Sequence, residues 1–133
     1  VEIRITGSTA FRATTYASIR SLYVGNLASQ NPAHDAGGQN RVTFAGTIPA
    51  LYGGQTVTVR TSYSGSVEGV QSVTQGLNET FLASANAGDI TTVTGQADFA
   101  FSDVFQDTTD FTSPYRTTTS PSQRRRTTRA SWK

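Results

Sequence analysis

The stretch Val59-Arg60-Thr61-Ser62-Tyr63-Ser64-Gly65-Ser66-Val67-Glu68-Gly69-Val70 constrains the fold of this chain more than any other. Its first half alternates β-branched and polar residues, the period of a half-buried strand. Its second half changes to a helical period: Val67, Val70, Val73 and Leu77 recur three or four residues apart, and Gly76 is placed to end a helix. Between the two lies Ser64-Gly65-Ser66, small and hydroxyl-rich. A strand that turns through such residues into a helix leaves the first amides of that helix without intrahelical partners. With the positive end of the helix dipole, those amides make a place for an anion.

The same order of elements is expected twice more. Glu2-Ile3-Arg4-Ile5-Thr6 alternates as a first strand, and Gly7-Ser8-Thr9 supplies a turn with capping hydroxyls. Phe11, Thr15, Ile19 and Leu22 then mark one face of a helix that Gly25 closes. Ala97-Asp98-Phe99-Ala100-Phe101 reads as a strand, Ser102-Asp103 as the next cap, and Val104-Phe105 as the start of a short helix or turn. Residues 26–40, with Asn31-Pro32 and Gly37-Gly38, read as a loop. Strands over 41–47 and 55–61 are expected to pair as a long hairpin through Gly53-Gly54. Within 78–96 only Phe81-Leu82 and Ile90-Thr91-Thr92-Val93 suggest short elements. These elements predict an α/β fold, a three-layer lobe whose mostly parallel sheet carries helices on both faces and a β-hairpin extension from residues 41–61. Turns after parallel strands gather at one sheet edge, so three such caps would offer hydroxyls and amides to one small anion.

Composition narrows the chemistry. A chain of 133 residues with 35% apolar content suits one domain, and no run approaches the ~18 apolar residues of a membrane-spanning helix. Without cysteine there are no disulfides, thiolate metal sites or cysteine nucleophiles. His34 is the only histidine and lies in a Pro/Gly loop, which argues against a Ser-His-Asp site or a metal cluster. In Gly65-Ser66-Val67-Glu68-Gly69 the serine falls one place too early for a nucleophile elbow, and the Gly-Lys-Ser/Thr ending of a phosphate-cradling loop is missing. No catalytic residue, metal or cofactor is expected, and the chain does not read as an enzyme. Asn78-Glu79-Thr80 matches a glycosylation triplet of a kind common by chance, and Asp98, inside an apolar strand, reads as structural.

At this point the residues resemble a known family. Ile5-Thr6-Gly7-Ser8-Thr9-Ala10-Phe11 is similar to the opening strand-turn-helix of the periplasmic phosphate-binding proteins that serve high-affinity ABC uptake systems. Gly65-Ser66-Val67-Glu68-Gly69-Val70 is similar to their Gly-Ser-Ser-Gly-Gly-Val turn, and Ala97-Asp98-Phe99-Ala100-Phe101-Ser102-Asp103 to their Val-Asp-Phe-Gly-Ala-Ser-Asp strand end. The resemblance covers about residues 2–107 and implies the N-terminal lobe of a type II periplasmic-binding-protein fold. It implies phosphate binding by Ser8 or Thr9, with the amide of Ala10, then by Ser64, Gly65 and Ser66, and by Asp103. A carboxylate suits phosphate because it accepts the proton phosphate still carries, whereas it repels sulfate, which carries none. The resemblance further implies a membrane permease as partner and a periplasmic or extracellular location, with the signal peptide outside this sequence. Scarce lysine and abundant Thr, Ser and Gly lean towards an exported bacterial protein as well. Two features depart from the pattern: Val67 and Glu68 replace small residues beside the second turn, and the family's second lobe, which closes over the ligand with an arginine, has no counterpart here.

Charge divides the chain. Residues 1–115 hold five arginines against nine carboxylates, net −4, while residues 116–133 hold five arginines and one lysine with no acid, net +6. The sequence thus reads as a lobe over 1–111 and a basic Thr/Ser/Arg-rich tail over 112–133 that lacks apolar periodicity and is expected to be disordered. Arg124-Arg125-Arg126 would attract nucleic acid by charge, but the abrupt change near Phe111 favours a frame-shifted or truncated product over a nucleic-acid partner. The expectation is that another reading frame resumes a second-lobe sequence after about codon 111. For Ser8, Thr9, Ser64 and Ser66 the plain alternative is helix capping, about 1 kcal/mol each, and for Asp103 a cap or a solvated turn carboxylate. The expected function is oxyanion binding for import, with half the site on this chain. Its rival is a secreted adhesion or interaction module on the same scaffold with no small-molecule ligand.

Overall fold

The computed structural model describes residues 1–23, 33–34, 40–48 and 52–105. The expected helix stop at Gly25, most of the 26–40 loop, the boundary near residue 111 and the basic tail lie outside the described residues. β1 (Glu2–Gly7) leads through a 3-10 turn (Thr9–Phe11) into α1 (Arg12–Tyr23). β2 (Ala33–His34), β3 (Arg41–Thr47) and β4 (Thr56–Ser62) follow, then α2 (Ser66–Gln75). β5 (Asn78–Leu82), β6 (Thr92–Gln96) and β7 (Phe99–Phe101) complete the described chain.

The result is a small α/β domain with a mixed, mostly parallel sheet in the order β2-β3-β4-β1-β7. β1 runs parallel to both β4 and β7, and β3 alone runs against its neighbours. β5 and β6 form a separate antiparallel ribbon. The β3–β4 hairpin is therefore no extension, since β4 is paired to β1 along its length. The reason is visible in β4 itself, where Val57, Val59 and Thr61 are all buried and need cover that only a strand inside a sheet obtains.

One face of the sheet gathers Ile5, Val42, Phe44, Val57 and Val59 beneath Ile19 and Tyr23 of α1. Tyr16 and Tyr23 lie against the Phe44 ring, and the fully buried Tyr23 donates its hydroxyl to the Val57 carbonyl at 3.1 Å. Leu22, expected on this face, is instead 48% exposed. The 3-10 turn ahead of Arg12 sets the phase of the helix, so Thr15, Ile19 and Tyr23, each four apart, point inward.

The opposite face carries α2 and the ribbon. A methyl group on Gly69 would stand 2.5 Å from the Gly7 Cα and 3.4 Å from the Ala100 Cβ, so helix and strand meet backbone to backbone. That contact fixes the phase of α2: Gly69 and Ser72 are buried, Val67, Val70 and Val73 only half-buried, and Leu77 46% exposed. The valine stripe expected to face the sheet thus flanks a line of small residues that does. Gly76, in the left-handed conformation, ends the helix as expected. From β5, Phe81 and Leu82 are buried, and the Leu82 carbonyl accepts from Thr43 Oγ1 at 2.7 Å and from the Arg60 guanidinium. Arg4 and Arg60 converge on Glu2 at 2.7 and 3.3 Å. Burial raises the Glu2 carboxyl, but the two guanidiniums outweigh it and the net direction is down.

Candidate functional site

The ends of β1, β4 and β7 are closed on one another through backbone. The Ser8 N–H donates to the Phe101 carbonyl at 2.8 Å, and the Gly65 N–H to the Gly7 carbonyl at 3.0 Å. Gly7 has φ 120°, and a methyl there would lie 2.0 Å from the Phe101 oxygen, so no other residue fits. Gly65, with φ 147°, is the N-cap of α2, and no side chain caps the helix start. The first turn of α2 therefore presents amides that neither the helix nor a capping side chain satisfies.

Onto this edge the sequence places its candidate residues as follows. Ser66 donates its hydroxyl to Asp103, whose own N–H donates back to Ser66 Oγ at 3.4 Å. Ser8, 4% exposed, accepts from the Ala10 N–H at 3.2 Å. The Ser66 hydroxyl first and the Ser8 hydroxyl second hold the Asp103 carboxyl below the ordinary carboxylate range. Ser8, Ser66 and Asp103 are thus brought together from three separate segments. Of the pair Ser8 and Thr9, it is Ser8 that joins Asp103. Thr9 and Ala10 are exposed beside it, the Thr9 carbonyl accepting from Arg12 Nε at 3.0 Å. Ser64 turns the other way, its hydroxyl 3.5 Å from Glu79.

Three further expectations meet the structure here. Ser102-Asp103 opens no helix among the described residues: the chain bends at Asp103 and Val104, and the Ser102 hydroxyl donates to the Val104 carbonyl at 2.9 Å. A serine that returns to the backbone two residues on favours a turn over a helix. Glu68 sits exposed in the first turn of α2 and takes no part in the Ser66–Asp103 hydrogen bond. Asp98 is structural: its carboxylate accepts from the Arg4 N–H at 2.7 Å, and its N–H donates to the Arg4 carbonyl at 2.8 Å, locking the entry to β7 onto β1.

Sequence reasoning missed Glu79. One of its carboxylate oxygens accepts from Ser72 at 2.5 Å, Thr6 at 3.3 Å and Ser64 at 3.5 Å. The available signal was alternation: in β5 Glu79 shares a face with the buried Phe81, so an acid there is directed inward. Among the described residues no cluster of three His, Asp or Glu side chains could hold a metal, and no helix is long and apolar enough to cross a membrane. No family model matches the chain, and comparisons with curated proteins and with solved structures give no match.

Proposed function

We propose that the edge formed by Ser8, Gly65, Ser66 and Asp103 binds phosphate or a similar tetrahedral oxyanion, as one wall of the site of a solute-binding protein. The single observation that carries this reading is the meeting of Ser8, Ser66 and Asp103 beside the uncapped start of α2. A set of unrelated caps has no reason to converge on one carboxylate.

The mechanism is an exchange of hydrogen bonds without catalysis. An ionised Asp103 only accepts. The hydroxyl of a protonated phosphate donates to it, replacing Ser66 and Ser8, and the freed serine hydroxyls and the first amides of α2 then donate to the other phosphate oxygens. Sulfate brings no proton, so it meets the carboxylate as like charge. In the ligand-free edge the Ser66 hydroxyl first and the Ser8 hydroxyl second favour the ionised Asp103, which keeps it an acceptor when phosphate arrives at neutral pH. Glu68, exposed at the helix start, is a negative charge that weakens the attraction. The resemblance of the three turns to phosphate-binding proteins extends the reading to a type II periplasmic-binding-protein lobe that delivers its anion to an ABC permease outside the cytoplasmic membrane.

The test is an NMR amide titration with phosphate against sulfate at equal ionic strength. Selective phosphate shifts at Ser8, Gly65, Ser66 and Asp103, at roughly millimolar affinity (about −4 kcal/mol), are the expected result. Equal or scattered responses to the two anions would reduce the turns to caps, and would leave an interaction module without a small ligand.

A further inference from the structure

We infer that Glu79 is the positioning residue of the anion-binding turn, holding Ser64 and thereby the Gly65 and Ser66 amides in place. The inference takes its ligand from the oxyanion reading above, but the geometry it describes stands apart from that reading.

Glu79 lies on the ribbon, outside the strand, turn and helix whose hydroxyls it binds. Its Oε1 accepts from one hydroxyl on each of the three pieces that build the site's second face: Thr6 at the end of β1, Ser64 in the turn, and Ser72 in α2. Thr6 and Ser72 are buried, so their hydroxyl hydrogens need an acceptor, and the carboxylate supplies one acceptor for both. Both ion pairs among the described residues fall on Glu2, so hydroxyl donors rather than a guanidinium meet Glu79.

Two of these donors adjoin the site directly. Thr6 precedes Gly7, whose carbonyl receives the Gly65 N–H, and Ser64 precedes Gly65 itself. Gly65 has no Cβ and no capping side chain, and nothing lies within 4 Å of where a Cβ would stand, so its backbone keeps a freedom that only its own hydrogen bonds to Gly7 and Gly69 restrain. A hydrogen-bonded anchor one residue earlier removes that freedom before the ligand arrives. Outer partners of this kind orient the groups that touch a ligand, and their loss weakens binding by roughly 10–100-fold in metal sites.

The experiment uses the full chain and the variants Glu79→Ala, Glu79→Gln and Ser64→Ala, first without ligand and then with inorganic phosphate. In ligand-free Glu79→Ala, hydrogen exchange at the Gly65 amide is expected to rise roughly tenfold, and 15N relaxation to report added motion over 65–67, while β3 amides stay unchanged. Phosphate affinity should fall about tenfold, and Glu79→Gln, which keeps an acceptor oxygen, should recover most of both effects. A folded Glu79→Ala with native Gly65 exchange and native affinity overturns the inference. If Glu79→Ala does not fold, exposed Ser64→Ala decides: a loosened Gly65 supports the anchor, and an unchanged one overturns it. If the parent chain ignores phosphate, the oxyanion reading falls, while the ligand-free measurements still uphold or overturn the role of Glu79.

Discussion

On one face of the sheet α1 arrives with rings, Tyr16 and Tyr23 against Phe44 at centroid distances of 5.3 and 6.3 Å. On the other face α2 arrives with Gly69 over Gly7 and with the hydroxyl of Ser72. The first contact is made of volume, and its strength scales with the apolar area removed from water. The second is made of proximity, and its strength depends on nothing intruding between two backbones. Ser66 and the uncapped helix start belong to the second face. A site whose donors are amides and short hydroxyls needs elements that approach closely, and small residues allow that where rings would not.

The comparison can be broken most severely at Gly7. Gly7→Ala places a methyl on the Phe101 backbone and demands a φ that alanine resists, so a loss of at least about 4 kcal/mol is expected, read as a collapsed urea midpoint. Phe44→Ala attacks the opposite face by removing volume and should cost about 3–4 kcal/mol. If the faces are as separate as proposed, the amides of Gly65 and Ser66 keep their shifts in the folded Phe44→Ala protein, and large changes there would show that the faces are coupled.

Alkaline pH probes the ring face without mutation. Burial pushes the Tyr23 phenol up to about 12, against an ordinary value of 10.0. Its contribution is intact below pH 10 and is lost as pH rises through 12, a fall of about 3 kcal/mol seen as a dropping melting temperature. Tyr23→Phe should leave only the smaller drop from Tyr63, whose phenol burial also raises. The smallest effect is local to the site: Asp103→Asn should leave stability nearly unchanged and reduce phosphate-over-sulfate preference roughly tenfold, because an amide can donate to sulfate. An unchanged preference would remove Asp103 from the selectivity argument.

What could be read in advance follows the same division. Capping residues and a change of period are local signals, so the strand-turn-helix units at Gly7-Ser8-Thr9 and Ser64-Gly65-Ser66 were legible, and so was the stop at Gly76. The meeting of Ser8, Ser66 and Asp103 was legible through the rule that parallel strands end at one edge. Contacts made by proximity were not. Hydrophobic periodicity favours Val67, Val70 and Val73 as the inner stripe of α2, because a glycine that packs against another glycine carries no apolar signal. For the same reason Leu22 outranks Tyr23 on a hydropathy basis, although the ring and its hydroxyl fill the space above Val57 better. Glu79 escaped notice because its partners are hydroxyls from three different elements, and no local pattern ties them together.

The position of β1 in the sheet sets the order in which the domain can form. It is made before both of its partners, since Ile5 pairs with Thr61 on one side and with Phe99 on the other. The β3–β4 hairpin closes a short loop and can form early, whereas β1 must wait for β4, and its second edge stays open until β7 has been synthesised. Such non-local pairing places the domain among slower folders, on a scale of milliseconds to seconds. During that interval the backbone groups of β1 and the apolar side chains of Ile3 and Ile5 are available to any other strand. Chains interrupted before Phe99 keep that edge unpaired, so they should aggregate where the longer chain refolds.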